Sequence, residues 1–229
     1  MKPELLNFFR KINPFLYPYL VLLLICILLI LIFSKEGLYF AVNHRHTVFT
    51  DVFFTYLTQL GASTGCIMIT IITIVINFRK GFLLATSYLL TFVISQVIKH
   101  LVKAPRPHLF FVKKLSGIYL IKGVTMLDTN SFPSGHSVSA FSAALVFTYV
   151  AKKKSAAPLL LLLAVLVAYS RLYLSEHFLE DVTAGSALGV FITAFWLRVI
   201  DRQPFLHSKN WDRGIFGRNK KQIERISQK

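Results

Sequence analysis

The stretch "FLYPYLVLLLICILLILIF", Phe15 to Phe33, runs for nineteen residues without a charge. A helix of about twenty residues rises far enough to cross the hydrocarbon core of a bilayer. Comparable apolar runs recur at about Thr64–Phe78, Phe82–Leu101, Ser137–Val150, Ala156–Tyr173 and Asp181–Ile200. A soluble domain rarely carries more than one, and in lipid the backbone must pair its own polar groups, so each run is expected as a helix. The fold class predicted is all-α: a polytopic membrane bundle of six transmembrane helices.

The second run is short and is extended backwards through the Leu57–Ser63 region. Ahead of it, "SKEGLYFAVNHRHTVFTDVFFTYLTQLGAS" mixes aromatic and polar residues and reads as an interfacial loop with a partly amphipathic helix between the first two spans. Lys2, Arg10 and Lys11 precede the first run as they would in a secretion signal, but its apolar core is long and no small-residue cleavage site follows. It is expected to stay as the first helix. With no internal repeat, residues 1–200 are read as one membrane domain and 201–229 as a basic cytoplasmic tail.

A formal charge of +16 would fit a nucleic-acid partner if the basic residues lay together on a soluble surface. They lie instead in short loops and the tail. With the N-terminus in the cytoplasm, seventeen of the 26 Lys and Arg fall on the cytoplasmic side, as the positive-inside rule requires. The other nine are Lys35, Arg45, Lys99, Lys103, Arg106, Lys113, Lys114, Lys122 and Arg171. Several cluster where the third, fourth and fifth spans emerge, so one membrane face carries a cationic site. Cys26 and Cys66 sit inside apolar runs as small hydrophobes, not as a disulfide framework or a metal site. The tail segment "RGIFGRNKKQIERISQK" reads as a basic stretch near anionic headgroups in preference to a partner-docking helix.

Three segments meet at the cationic face, and each suits a phosphate. In "KHLVKAPRP", Lys99 stands near a helix end and Arg106 is held between Pro105 and Pro107, which restrict the local backbone. Arg presents a planar fork to phosphate oxygens and Lys a point charge; snorkelling cations at a membrane boundary would look the same. In "PSGH", a turn starts an apolar helix whose unpaired N–H groups favour an anion. Gly135 allows close approach, Ser134 offers a hydroxyl, and His136 stands where a proton donor is wanted. In "SRLYLSEHFLED", His177 and Asp181 are four apart, placing them about one helical turn from each other. A carboxylate can orient an imidazole as a nucleophile or base, and the same pair can simply cap a helix entrance. Glu176 and Glu180 compete with Asp181 for that role, and spacing alone does not choose among the three.

In this order, Lys-x6-Arg-Pro, Pro-Ser-Gly-His and Ser-Arg-x5-His-x3-Asp resemble the signature of the type 2 phosphatidic acid phosphatase family, which shares its site with vanadium-dependent haloperoxidases and some acid phosphatases. Every specified position is matched, by Lys99, Arg106, Pro107, Pro133, Ser134, Gly135, His136, Ser170, Arg171, His177 and Asp181. The resemblance implies that His177 attacks phosphorus and forms a phosphohistidine, that Asp181 orients it and that His136 protonates the leaving oxygen. It implies that Lys99, Arg106, Ser134, Gly135 and Arg171 hold the phosphate, without a metal or any other cofactor.

The expected partners are a membrane lipid phosphate and the bilayer, with no nucleic acid. The short chain fits a bacterial inner membrane protein with its site facing the periplasm. Lipid A phosphates and undecaprenyl diphosphate are favoured there over phosphatidylglycerol phosphate and phosphatidic acid. A soluble haloperoxidase is disfavoured by the apolar spans, and a non-catalytic binder by the intact His136, His177 and Asp181. A lipid phosphotransferase using the same intermediate is the closest rival.

Overall fold

The computed structural model describes residues 3–112, 117–121, 123 and 127–215. Among these no strand occurs, and the helices are α1 (Pro3–Ile32), α2 (Lys35–Asn43), α3 (Val48–Leu57), α4 (Ser63–Ile76), α5 (Phe78–Val102), α6 (Pro107–Phe110), α7 (Gly135–Val150), α8 (Ala157–Tyr173) and α9 (Leu179–Ile200). Four stretches, Glu4–Ile32, Phe78–Phe110, Lys154–Tyr173 and Leu179–Ile200, are long and apolar enough to cross a membrane. Val48–Gly61 and Ser63–Ile76 meet that test together, and α7 is a shorter apolar helix. The all-α expectation holds.

The helices depart from the sequence reading where caps or polar faces intervene. α1 starts well before the apolar run because Phe8, Ile12, Phe15 and Tyr19 form one buried stripe at helical spacing. The second run does not extend backwards as a straight helix. Ala62 is extended (φ −72°, ψ 159°), and the axes of Val48–Gly61 and Ser63–Ile76 differ by 58°. α5 begins at Phe78 because Asn77 caps it, its Oδ1 accepting from the Lys80 N–H at 2.9 Å. The mixed segment after α1 folds into two helices, α2 and α3, rather than one.

α7 is the centre of the bundle, packed against α5, α8 and α9, with α1 crossing α7, α8 and α9 on the outside. Lipid tails are as apolar as leucine, so helix positions here are set by close packing and by polar contacts between helices. Both are visible. "GSALG" brings Gly185 and Gly189 of α9 so close to α7 that an added Cβ would lie 2.5 Å from the Ser134 carbonyl oxygen and 2.5 Å from that of Val138. Ser142 and Thr193 hydroxyls meet at 2.7 Å, Tyr19 and Ser186 at 3.2 Å, and the Trp196 indole donates to Thr86 at 2.9 Å.

The end of the bundle away from the cationic residues is locked by Asp201. Its carboxylate takes a bidentate pair from Arg79 and accepts from the Tyr149 hydroxyl at 2.6 Å. Residues 201–215 turn back onto this end: the Phe78 N–H donates to the Arg213 carbonyl and the Ile215 N–H to that of Val75. Trp211 packs edge-on against Phe82. The remaining tail, 216–229, and Lys113, Lys114 and Lys122 lie outside the described residues.

Candidate active site

Four helix ends converge opposite the Asp201 lock: the C-termini of α5 and α8 and the N-termini of α7 and α9. They gather all eight residues singled out in the sequence. Ser134 is the N-cap of α7, its hydroxyl accepting from Ser137, while its own N–H donates to the Asp181 carbonyl at 2.9 Å. That bond, with the Gly185 crossing, joins the "PSGH" turn to the start of α9. A Cβ added at Gly135 would meet nothing within 4 Å, so the backbone there borders open space. His136 is within electrostatic reach of Arg171, His177, Arg106 and Lys99.

His177 lies in the turn just ahead of α9, 2% exposed, with Nδ1 3.5 Å from Asp181 Oδ2. The same oxygen accepts from the Phe178 N–H at 2.8 Å and from the Ser131 hydroxyl at 2.5 Å. Asp181 therefore caps the helix, and Ser131 bridges its carboxylate to the imidazole. Ser131 Oγ is also 3.3 Å from His177 Nδ1. The carboxylate favours the proton on Nδ1 and leaves the Nε2 lone pair free. Burial, opposed by the nearby Asp181 carboxylate and reinforced by Arg106 and Arg171, holds the His177 pKa down at about 3. The fold thus favours the neutral form of this ring.

Segment 128–131 positions the two cations of the first motif through three successive carbonyls. The Arg106 N–H donates to Asp128, its Nε to Thr129 at 3.1 Å, and the Lys99 ammonium to Asn130 at 2.8 Å. Arg171 donates from Nη1 to the Thr58 hydroxyl at 2.8 Å. The competing carboxylates separate by position. Glu180 reaches outward to Lys35 at 3.4 Å, whereas Glu176 is 4% exposed and ion-paired with both Arg106 and Arg171.

Sequence reasoning missed the residues that hold this turn. Ser175 adopts a left-handed φ of 58°, rare for a residue with a side chain. Its hydroxyl accepts from Tyr39 at 3.0 Å and from Asn43 at 2.9 Å, both on α2. Asn43 in turn exchanges two bonds with the Tyr119 backbone. Ser131 was findable, as a serine two residues ahead of "PSGH"; Asn43 and Thr58 carry no motif at all.

Beside His136, a cavity of about 610 Å³ opens between α4, α5 and α7. Gly135, His136 and Ser139 line its inner end, and it reaches past Cys66 and Tyr88 to Ile67, Ile71, Leu89 and Phe92. Those four are more than half exposed on the outer face. Gly135 and His136 therefore border an apolar side opening between α4, α5 and α7.

The sequence model of the PAP2 superfamily matches residues 80–205. The chain is 24% identical over 200 residues to an undecaprenyl-diphosphatase of Sulfolobus acidocaldarius, covering 82% of this chain and 94% of that one. The crystal structure of Aquifex aeolicus LpxE superposes with a TM-score of 0.61 at 27% identity, covering 74% of this chain and 98% of that one. A transmembrane PAP2-type phosphatidylglycerolphosphate phosphatase from Bacillus subtilis matches in fold, at a TM-score of 0.59 and 22% identity over 86% of this chain and 99% of that one. The apolar helices and these likenesses make it a multi-pass membrane protein. The family match covers more than half of the residues and includes all three motifs, and the chain belongs to the PAP2 superfamily.

Proposed function

We propose that this chain is a membrane lipid phosphatase working through a phosphohistidine at His177. One observation carries the reading: a buried, neutral imidazole, oriented by Asp181 and Ser131, sits among Lys99, Arg106 and Arg171 at the start of α7. His177 Nε2 forms a bond to phosphorus as the bond to the lipid oxygen breaks, and His136 gives that oxygen its proton. The three cations, Ser134 and the Gly135 N–H hold the non-bridging oxygens where charge builds. Water then breaks the P–N bond, with His136 taking up its proton, and inorganic phosphate leaves.

No metal is assigned to this chemistry, because cations and a helix start supply the charge stabilisation. Among the described residues no three His, Cys, Asp or Glu side chains converge as a donor set. The same reading has six crossings: α1, the bent α3–α4 unit, α5, α7, α8 and α9, with α2 at the interface. Residues 1–200 form the membrane domain and 201–229 the cytoplasmic tail. The site then faces the periplasm of a bacterial inner membrane, and the basic ends of α5 and α9 face the cytoplasm.

The side opening suits a phosphate at headgroup level whose chain remains in lipid. Undecaprenyl diphosphate and lipid A phosphates are the favoured substrates. The former also draws support from the undecaprenyl-diphosphatase likeness over most of the chain. Phosphatidylglycerol phosphate or phosphatidic acid is the alternative, and transfer to a second lipid competes with water at the same intermediate. Phosphate release by purified protein from these four lipids, in EDTA, tests the reading. Release from at least one is expected; no release from any, or strict magnesium dependence, contradicts it.

A further inference from the structure

Glu176 has no part in the chemistry above, yet it is the carboxylate closest to the phosphate-holding arginines. Its Oε2 is ion-paired with Arg106 Nη1 and lies 3.4 Å from Arg171 Nη2. Both guanidiniums and the carboxylate are less than one-tenth exposed. A buried carboxylate in that position is a strong ligand for an arginine fork.

The two arginines are not equally satisfied by it. Arg106 donates to Thr129, to the Glu176 carbonyl at 3.3 Å and to the Glu176 carboxylate. Arg171 donates to Thr58, but its buried Nε has no hydrogen-bond partner among the described residues. Its Nη2 meets Glu176 only at 3.4 Å, beyond an ordinary N–H···O bond. The Nε–Nη2 edge of Arg171, the edge that grips two oxygens at once, is therefore half-open and half-shared with an internal anion. A buried donor without an acceptor is costly, and an arriving phosphoryl oxygen satisfies it.

Charge leads to the same place. Lys99, Arg106 and Arg171 bring three positive charges, while Asp181 is committed to Ser131, Phe178 and His177. Glu176 is the remaining negative charge beside the forks. Resting on the phosphatase reading, we infer that Glu176 is an internal competitor for the Arg106 and Arg171 forks, which loosens the grip on inorganic phosphate and so speeds product release. A site built only to bind phosphate would do better without it. An enzyme that must let phosphate go gains from a carboxylate that re-enters the forks, since product release often limits turnover.

The test is Glu176→Gln, which keeps shape and removes charge, in full-length protein in detergent. The readouts are inhibition of lipid dephosphorylation by inorganic phosphate, and phosphate binding followed by ³¹P NMR line broadening. Removing one nearby buried charge should strengthen both by about tenfold or more, with KM for the lipid falling in parallel. Unchanged or weaker phosphate inhibition overturns the inference and makes Glu176 a support for arginine geometry. Glu176→Asp, whose carboxylate is drawn back by one methylene, should shift inhibition in the same direction by less, and it decides the matter where the Gln variant does not fold. Wild-type protein that neither releases nor binds phosphate refutes the phosphatase reading itself, an outcome distinct from the one that overturns Glu176.

Discussion

Gly185→Ala probes whether the crossing of α7 and α9 sets the geometry of the site. The added Cβ would stand 2.5 Å from the Ser134 carbonyl oxygen and 3.1 Å from Ser137 Cβ. Ordinary contact begins near 3.4 Å, so the two helices must part by about 0.9 Å at this point. That displacement falls on the Ser134–Asp181 backbone bond, which joins the turn bearing His136 to the helix entrance bearing Asp181 and His177. Overpacking of this kind destabilises by about 1–3 kcal/mol, and a shift of about 1 Å between reacting groups lowers turnover by about a hundredfold. Gly189→Ala meets the Val138 carbonyl at the same 2.5 Å, one turn further from the chemistry. It should lose similar stability and less activity. The assay pairs thermal unfolding in detergent with kcat for phosphate release. Wild-type kcat in Gly185→Ala, with an unfolding midpoint that has not moved, would refute the reasoning.

Ser131→Ala removes the hydroxyl that binds Asp181 Oδ2 and faces His177 Nδ1. A hydrogen bond to a charged group contributes about 1.5–3 kcal/mol, so kcat should fall about ten- to a hundredfold while lipid KM holds; an unchanged kcat removes Ser131 from the site. Arg106→Lys keeps the charge but loses the planar fork and the Nε bond to Thr129. Its kcat/KM should fall by about two orders of magnitude, and near wild-type values would mean that charge alone suffices. His177, neutral in the fold with its pKa near 3, has an unfolded pKa of about 6.5. The unfolded chain therefore binds the proton first, and stability is lost as pH falls from about 6.5 toward 3. Thermal unfolding at pH 7.5 and 4.5 should show a steeper loss in wild type than in His177→Asn; parallel losses contradict the assignment.

The eight candidate residues, which the fold gathers at one end of the bundle, were legible because each motif is short and local: a Pro-flanked arginine, a helix-starting turn, and a His and Asp four apart. What folds them together was less so. The bend at Ala62 hides in the sequence because no side-chain cap marks it, and Thr58, delivered by that segment to Arg171, is one threonine among many. Asn43 is unreadable for a related reason. It acts on Ser175 across 132 residues, through a hydrogen bond that no periodicity encodes. Spacing left Glu176, Glu180 and Asp181 equivalent, and burial separated them: one faces outward, one bridges arginines and one holds the imidazole. The early start of α1 followed from its buried stripe, which a search for continuous apolar runs passes over.

The most direct test of the central claim is to trap the covalent intermediate. Wild-type protein is mixed with a ³²P-labelled lipid phosphate, quenched within milliseconds in alkali, where phosphohistidine survives, and mapped by peptide. The account predicts acid-labile label on the peptide containing His177 and none in His177→Asn. Phosphate released at the normal rate with no label on His177 at any quench time would contradict it.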